Sequence, residues 1–221
     1  MYKCIKRSFD FIFSLIVISL LLPFLAPICL VLKFTAEGEI FYLQERIGFK
    51  NHKFKIFKFA TMLKDSLNLG TGSITLKGDF RVTSIGKYLR SSKINELPQL
   101  YNILRGDISI VGPRPVLEQD WLLYPENIRN KIYDVKPGLT GIGSIIFRDE
   151  EALISNVKDE DPHVYFKRVI APYKGELEMW YQSNYSFILD FKLILLTAWI
   201  ILVPSSKLYK KWFKDLPKRN F

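Results

Sequence analysis

The chain has 221 residues, of which 48% are hydrophobic and 14% aromatic, and it carries a net charge of +10. That length holds one domain of ordinary size plus an anchor, and the apolar share excludes a disordered chain. The surplus of Lys and Arg asks for an anionic partner: nucleic acid, acidic lipid headgroups or a phosphorylated small molecule. Cys4 and Cys29 lie in a basic stretch and an apolar run, so there is neither a disulfide framework nor a zinc spacing. Such a chain suits the reducing, cytoplasmic side of a membrane.

Residues 11–32 are apolar and uncharged, with Lys3, Lys6 and Arg7 before them and Lys33 after. The run is long enough to span a bilayer. Pro23 and Pro27 interrupt it, however, and basic residues flank both ends, which places both ends on the cytoplasmic face. The expected anchor, residues 1–36, is a re-entrant helix-break-helix that turns near Pro23. A kinked spanning helix is the alternative, since membrane helices tolerate proline. No small-x-small cleavage site precedes Lys33. Residues 37–221 are then the cytoplasmic catalytic domain.

Within that domain, alternating aromatic, aliphatic and basic residues over 40–61 predict strand or extended structure facing the membrane. Residues 65–78 read as a loop. Helical spacing over 84–104 predicts two helices, the second with Pro98 in its first turn and Asn95 as N-cap. Gly112-Pro113-Arg114-Pro115 must be a stiff turn, and 136–143 is a second turn-rich segment. A helix over 162–182 is interrupted at Pro172. Residues 193–203 are too short to span. Beside Trp199, Tyr209, Trp212, Phe213 and a lysine-rich tail, they read either as an interfacial amphipathic helix or as a core helix. The expected fold class is α/β, mostly helical.

Polar residues concentrate between Asp79 and Pro115. The planar fork of arginine suits bidentate contact with phosphate oxygens, and Arg114 is locked between two prolines. Asp79, Glu96 and Asp107 are candidate Mg2+ ligands, since Mg2+ prefers oxygen and bridges phosphates. Basic clamps with a few carboxylates form the toolkit of phosphoryl transfer. Any one of these residues could equally sit in a surface salt bridge, but a plain surface has no need of Gly-Pro-Arg-Pro.

Those motifs, read in order, resemble the bacterial sugar transferases that act as monotopic polyprenyl-phosphate phosphoglycosyl transferases. The match takes in Lys6-Arg7-x-Phe9-Asp10, Gln44-x-Arg46-x-Gly48, Lys58-Phe59-x-Thr61-Met62, Asp79-x-Arg81-Val82-Thr83 and Leu89-Arg90. It continues through Glu96-Leu97-Pro98-Gln99-Leu100, Gly106-Asp107 to Pro115, and Lys136-Pro137-Gly138-x-Thr140-Gly141. The resemblance implies a re-entrant anchor on a small α/β domain with amphipathic helices on the membrane. It implies transfer of a sugar 1-phosphate from a UDP-sugar to undecaprenyl phosphate with release of UMP, Mg2+ as cofactor, and a phosphosugar carried on an aspartate that directly precedes a glutamate. It places Arg46, Lys58, Arg81, Arg90, Gln99 and Arg114 at the substrate phosphates, and Glu96 with the Asn95 position at the chemistry. Membrane lipids, a homodimer and downstream glycosyltransferases are the further partners expected.

Two residues depart from the family pattern. Asn95 stands where the nucleophilic aspartate is expected, and Ala60 replaces a basic residue. An amide is a poor nucleophile. Either Glu96 takes over, or transfer is direct, or the chain is an inactive relative that scaffolds glycan assembly at the membrane. A nucleic-acid binder is disfavoured, because no recognition motif accompanies the charge. A Ser-His-Asp hydrolase is disfavoured too, because His52 and His163 neighbour no nucleophile motif.

Overall fold

A computed structural model describes residues 2–35, 37–219 and 221. Helix α1, Tyr2–Phe34, is followed by strands β1, Phe41–Ile47, and β2, Lys53–Phe59. Helices α2, Ser84–Ser91, and α3, Gln99–Arg105, lead into strand β3, Ser109–Val111. Short helices α4, Glu118–Trp121, and α5, Glu126–Arg129, precede strand β4, Gly138–Thr140. Then come α6, Ile142–Ile146, α7, Glu150–Ser155, α8, Pro162–Tyr165, α9, Ala171–Asn184, α10, Phe187–Leu202, and α11, Leu208–Trp212.

Helix α1 departs from the expected anchor. It is one helix through both prolines, with no break near Pro23. A proline deletes one backbone donor and does not by itself end a helix whose two halves are held. Here both are held. Buried and half-buried positions recur at Arg7, Asp10, Ser14, Val17, Leu21, Leu25, Ile28 and Leu32, a helical stripe that passes between the two exposed prolines. Val17 packs on the main core, while Leu25 and Ile28 pack on a second cluster of Leu32, Phe59 and Leu89. The opposite face is apolar and exposed at Ile12, Ile16, Leu20, Leu22, Phe24 and Leu30.

Polar contacts fasten the start of α1. Asp10 accepts from Ser109 Oγ at 2.6 Å and from Ile110 N–H at 3.2 Å. Arg7 donates to the carbonyls of Ile103 and Leu104, and Lys136 to that of Gly106, so cations cap the C-terminal end of α3. Asp190 accepts from Tyr2 and Tyr181, each at 2.7 Å, and pairs with Lys6.

Strands β1 and β2 form an antiparallel hairpin with Tyr42 opposite Lys58 and Gln44 opposite Ile56. The pleat therefore puts Gln44, Arg46 and Lys58 on one face. The main core lies between β3, β4, α3, α6, α9 and α10. β3 pairs in parallel with β4, Ser109 facing Gly138 and Val111 facing Thr140. At the end of β3, Gly112 lets the chain pass against the neighbouring strand: a Cβ there would lie 2.3 Å from Lys136 O.

Pro172 does not interrupt its helix. A π turn over Phe166–Ile170 precedes it, widening the helix where the proline cannot supply the next donor. The apolar segment expected at 193–203 begins earlier, at Phe187, capped by Ser186 Oγ accepting from Leu189 N–H at 3.2 Å. It is buried along one face and exposed along the other. Leu189, Leu193, Leu196 and Ile200 are buried, while Ile188, Phe191, Leu195, Trp199 and Leu202 form an exposed apolar face.

Residues 65–78 are a loop wound around one cation. Arg81 is fully buried, donates to the carbonyls of Ser66, Leu69, Gly72 and Ile74, and pairs with Asp79. Arg81→Ala would leave Asp79 unpaired and four carbonyls without donors. It is expected to cost about 3–5 kcal/mol, read as a lowered unfolding midpoint in a thermal melt, and Arg81→Lys should not restore it.

Candidate active site

The site forms where α3, the hairpin face and the turn after β3 converge. Glu96 ends a single 3-10 turn, Ile94–Glu96, which the chain enters through Lys93 in the left-handed region at φ 61°. A lysine seldom takes that conformation, and local strain of this kind concentrates at functional sites. Arg114 Nη2 reaches Glu96 Oε1 at 3.0 Å. The Arg114 main chain is fixed as well. Its N–H donates to Glu178 Oε1 at 3.3 Å, and its carbonyl accepts from Tyr133 Oη at 2.8 Å.

The electrostatics are dominated by crowded cations. Burial pushes the Lys58 ammonium well down, and the nearby charges of Arg46, Arg114 and Arg90 push it further. Burial and then the charge of Arg114 lower Arg46 to about 10. Burial lowers Lys93, with Arg114 and Arg148 adding to it. At Glu96 burial pulls the carboxyl up, but Arg114, Lys58 and Lys93 outweigh it and hold it well below the usual carboxylate range. Arg114 is raised in return, chiefly by Glu96. Several buried polar atoms lack a partner: Arg46 Nε, Asn95 Oδ1 and Glu178 Oε2.

Of the residues singled out in the sequence, Arg46, Lys58, Arg90, Glu96 and Arg114 come together through these charge interactions. Arg90 also pairs with Glu151 at 2.5 Å. Asn95 and Gln99 are buried in the turn and at the start of α3. Asn95 is not the N-cap expected of it: Pro98 occupies that position, and Asn95 Oδ1 accepts nothing. Arg81 and Asp79 pair with each other around their own loop. Asp107 lies past the far end of α3, bonded by Asn102 Nδ2 at 2.9 Å and 3.5 Å from Arg105. Among the described residues no three Asp, Glu, His or Cys side chains converge as a metal site, so Glu96, Asp79 and Asp107 do not assemble as a ligand trio. Of those three, Glu96 is the carboxylate that faces the cluster. Mg2+ takes one or two carboxylates together with substrate phosphates, and that single donor fits it only in company with a phosphorylated ligand.

Lys93, Tyr133 and Glu178 were not singled out in the sequence. Lys93 stands two residues before Asn95 but is one lysine among many. Tyr133 and Glu178 act from distant segments through the backbone of Arg114, and nothing local in the sequence marks them.

Glu96, half-buried and held down by Arg114, Lys58 and Lys93, thus lies beside an arginine bounded by two prolines. The model of the family described as bacterial sugar transferase matches residues 1–204, and the chain belongs to that family. The chain is 34% identical over 204 residues to the undecaprenyl-phosphate glucose phosphotransferase of Komagataeibacter xylinus, covering 87% of this chain and 35% of that protein. It is 32% identical to the UDP-galactose-lipid carrier transferase of Erwinia amylovora, covering 90% of this chain and 41% of the relative. With the uncharacterized sugar transferase EpsL of Bacillus subtilis it shares 35% identity, covering 90% of this chain and 88% of EpsL. The chain thus spans less than half the length of the first two relatives.

Replacing Arg114 removes the largest charge that offsets the burial of Glu96. In Arg114→Ala the Glu96 carboxyl should titrate at clearly higher pH, followed by carboxyl 13C shifts of labelled protein in detergent.

Proposed function

We propose that this protein transfers a sugar 1-phosphate from a UDP-sugar to undecaprenyl phosphate, releasing UMP, at the cytoplasmic face of the bacterial plasma membrane. The observation that carries this reading is the gathering of Arg114, Lys58, Arg46 and Lys93, all half-buried, around Glu96. Donor and acceptor are both anionic, and their phosphates must approach each other before any bond can form. Arg114, Lys58, Arg46 and Lys93 supply that screening without moving. Of the relatives' names, undecaprenyl-phosphate glucose phosphotransferase supports the lipid acceptor, and UDP-galactose-lipid carrier transferase supports a UDP-sugar donor and a lipid carrier.

In the reaction an oxygen attacks the β-phosphorus of the donor. The bond from that phosphorus to the bridging oxygen breaks, and UMP leaves with the electron pair. Asn95 offers only an amide oxygen, and in this reading Glu96 carries the sugar phosphate before the lipid phosphate takes it. Mg2+, held by Glu96 and the diphosphate oxygens, would supply further charge neutralisation. Arg114 orients the phosphoryl group, and the prolines on either side keep its reach fixed.

The seating of α1 supports a monotopic arrangement. Its first and last turns both lie against the same domain, and a spanning helix would carry one of them away across about 30 Å of hydrocarbon. Cysteines introduced near residue 3 and near Glu37 should both be protected from an impermeant periplasmic reagent in intact cells. Reaction of one alone would contradict this seating.

The reaction is tested with purified protein, undecaprenyl phosphate and a panel of UDP-sugars, scored by UMP release. Arg114→Ala should lose about 2–4 kcal/mol of transition-state stabilisation with the fold retained. Intact mass after incubation with donor and Mg2+, but no lipid, identifies the carrier. A sugar-phosphate adduct absent from Glu96→Gln is expected. UMP release without any adduct would favour direct transfer. Release only from Asn95→Asp would show an inactive family member, suited to a scaffolding role.

A further inference from the structure

We propose that Glu178 is a positioning residue for the transfer, holding the Gly112–Pro115 turn from beneath so that Arg114 meets Glu96 and the substrate phosphates. The proposal rests on the reading of the site given above and assigns the element that sets its geometry.

Glu178 lies on α9, far from Arg114 in sequence, and is 3% exposed. Pro113 and Pro115 have no N–H, so Arg114 supplies the only backbone donor of that three-residue run. That donor goes to Glu178 Oε1 at 3.3 Å, while Tyr133 Oη holds the carbonyl of the same residue at 2.8 Å. One peptide unit on each side of the Arg114 Cα is thereby fixed, and the side chain departs from a clamped base.

The space for the carboxyl is carved out by glycine. A Cβ on Gly143 would lie 2.3 Å from Glu178 Oε1, and one on Gly141 would lie 4.0 Å from Oε2. Oε2 is buried and has no partner. A carboxyl in such a place is costly, and packing alone would be served better by an apolar side chain. The groups that face it are Arg114 from the turn, Lys174 one helical turn earlier on α9, and Tyr133 and Tyr124 from the segment before β4. Burial pushes Glu178 up to about 7, against the opposing pull of the Arg114 N–H, Lys174 and the Arg114 charge. The protonated acid is a weaker acceptor than the carboxylate. The clamp therefore loosens, and transfer slows, as pH falls through about 7.

The experiment compares wild type, Glu178→Gln and Gly143→Ala, each checked by thermal melt, for UMP release at pH 6 and pH 8. Glu178→Gln mimics the protonated acid. Its kcat should fall by about tenfold at pH 8, with donor KM little changed, and should match wild type at pH 6. Gly143→Ala keeps the carboxyl but displaces it and should lower kcat at both pH values. A Glu178→Gln rate equal to wild type at pH 8, or lowered by the same factor at both pH values, would overturn the proposal. If Glu178→Gln does not fold, Glu178→Asp, one methylene too short to reach Arg114, takes its place, and a wild-type rate from it would again overturn the proposal. If wild type itself releases no UMP, the transfer reading fails, and the clamp is read from the Glu96 13C titration instead. An upward move of Glu96 in Glu178→Gln is expected, and an unmoved titration would overturn the proposal.

Discussion

The Arg114–Glu96 pair is the contact on which the site depends. A half-buried carboxylate faces Arg114, Lys58 and Lys93 at once, and those cations hold it well below the usual carboxylate range. The pair also fixes geometry. The turn that carries Arg114 is pinned by prolines in the covalent chain and by Glu178 and Tyr133 through space.

The same turn is tied to the membrane helix. Asp10 on α1 binds Ser109 and Ile110 of β3, and β3 runs directly into Gly112 and the arginine. Lys6 and Tyr2 extend the attachment to Asp190 on α10, whose outer face is apolar and exposed. The apolar faces of α1 and α10 and the Arg114 turn therefore belong to one packed unit.

Much of this was legible in the sequence, for reasons that differ by element. Extended structure over 40–61 was legible from its mix of aromatic, aliphatic and basic residues, whereas the antiparallel pairing of the two strands depends on contacts across the turn between them. The stiff turn followed from two prolines. What could not be read were effects that depend on partners distant in the chain. Pro23 predicts a break only if nothing holds the flanking turns, and both halves of α1 are held by packing. Arg81 resembles a phosphate ligand by type and spacing, yet four carbonyls of its own loop claim its donors. Lys93 acquires significance through the backbone conformation that puts it in the cluster, and Glu178 through a single N–H. Family resemblance located the motifs but could not distinguish residues that meet the substrate from those that build the loop around it.

The central claim is that the cations around Glu96 receive the diphosphate of a nucleotide sugar. Equilibrium binding of UDP to the protein in lipid nanodiscs, with Mg2+ present, tests this most directly. The account predicts saturable binding that weakens with rising salt and falls by about tenfold or more when Lys58 is changed to Met, while Asp107→Asn, beyond the far end of α3, binds as wild type does. Binding unaffected by Lys58→Met, or lost in Asp107→Asn, would contradict it.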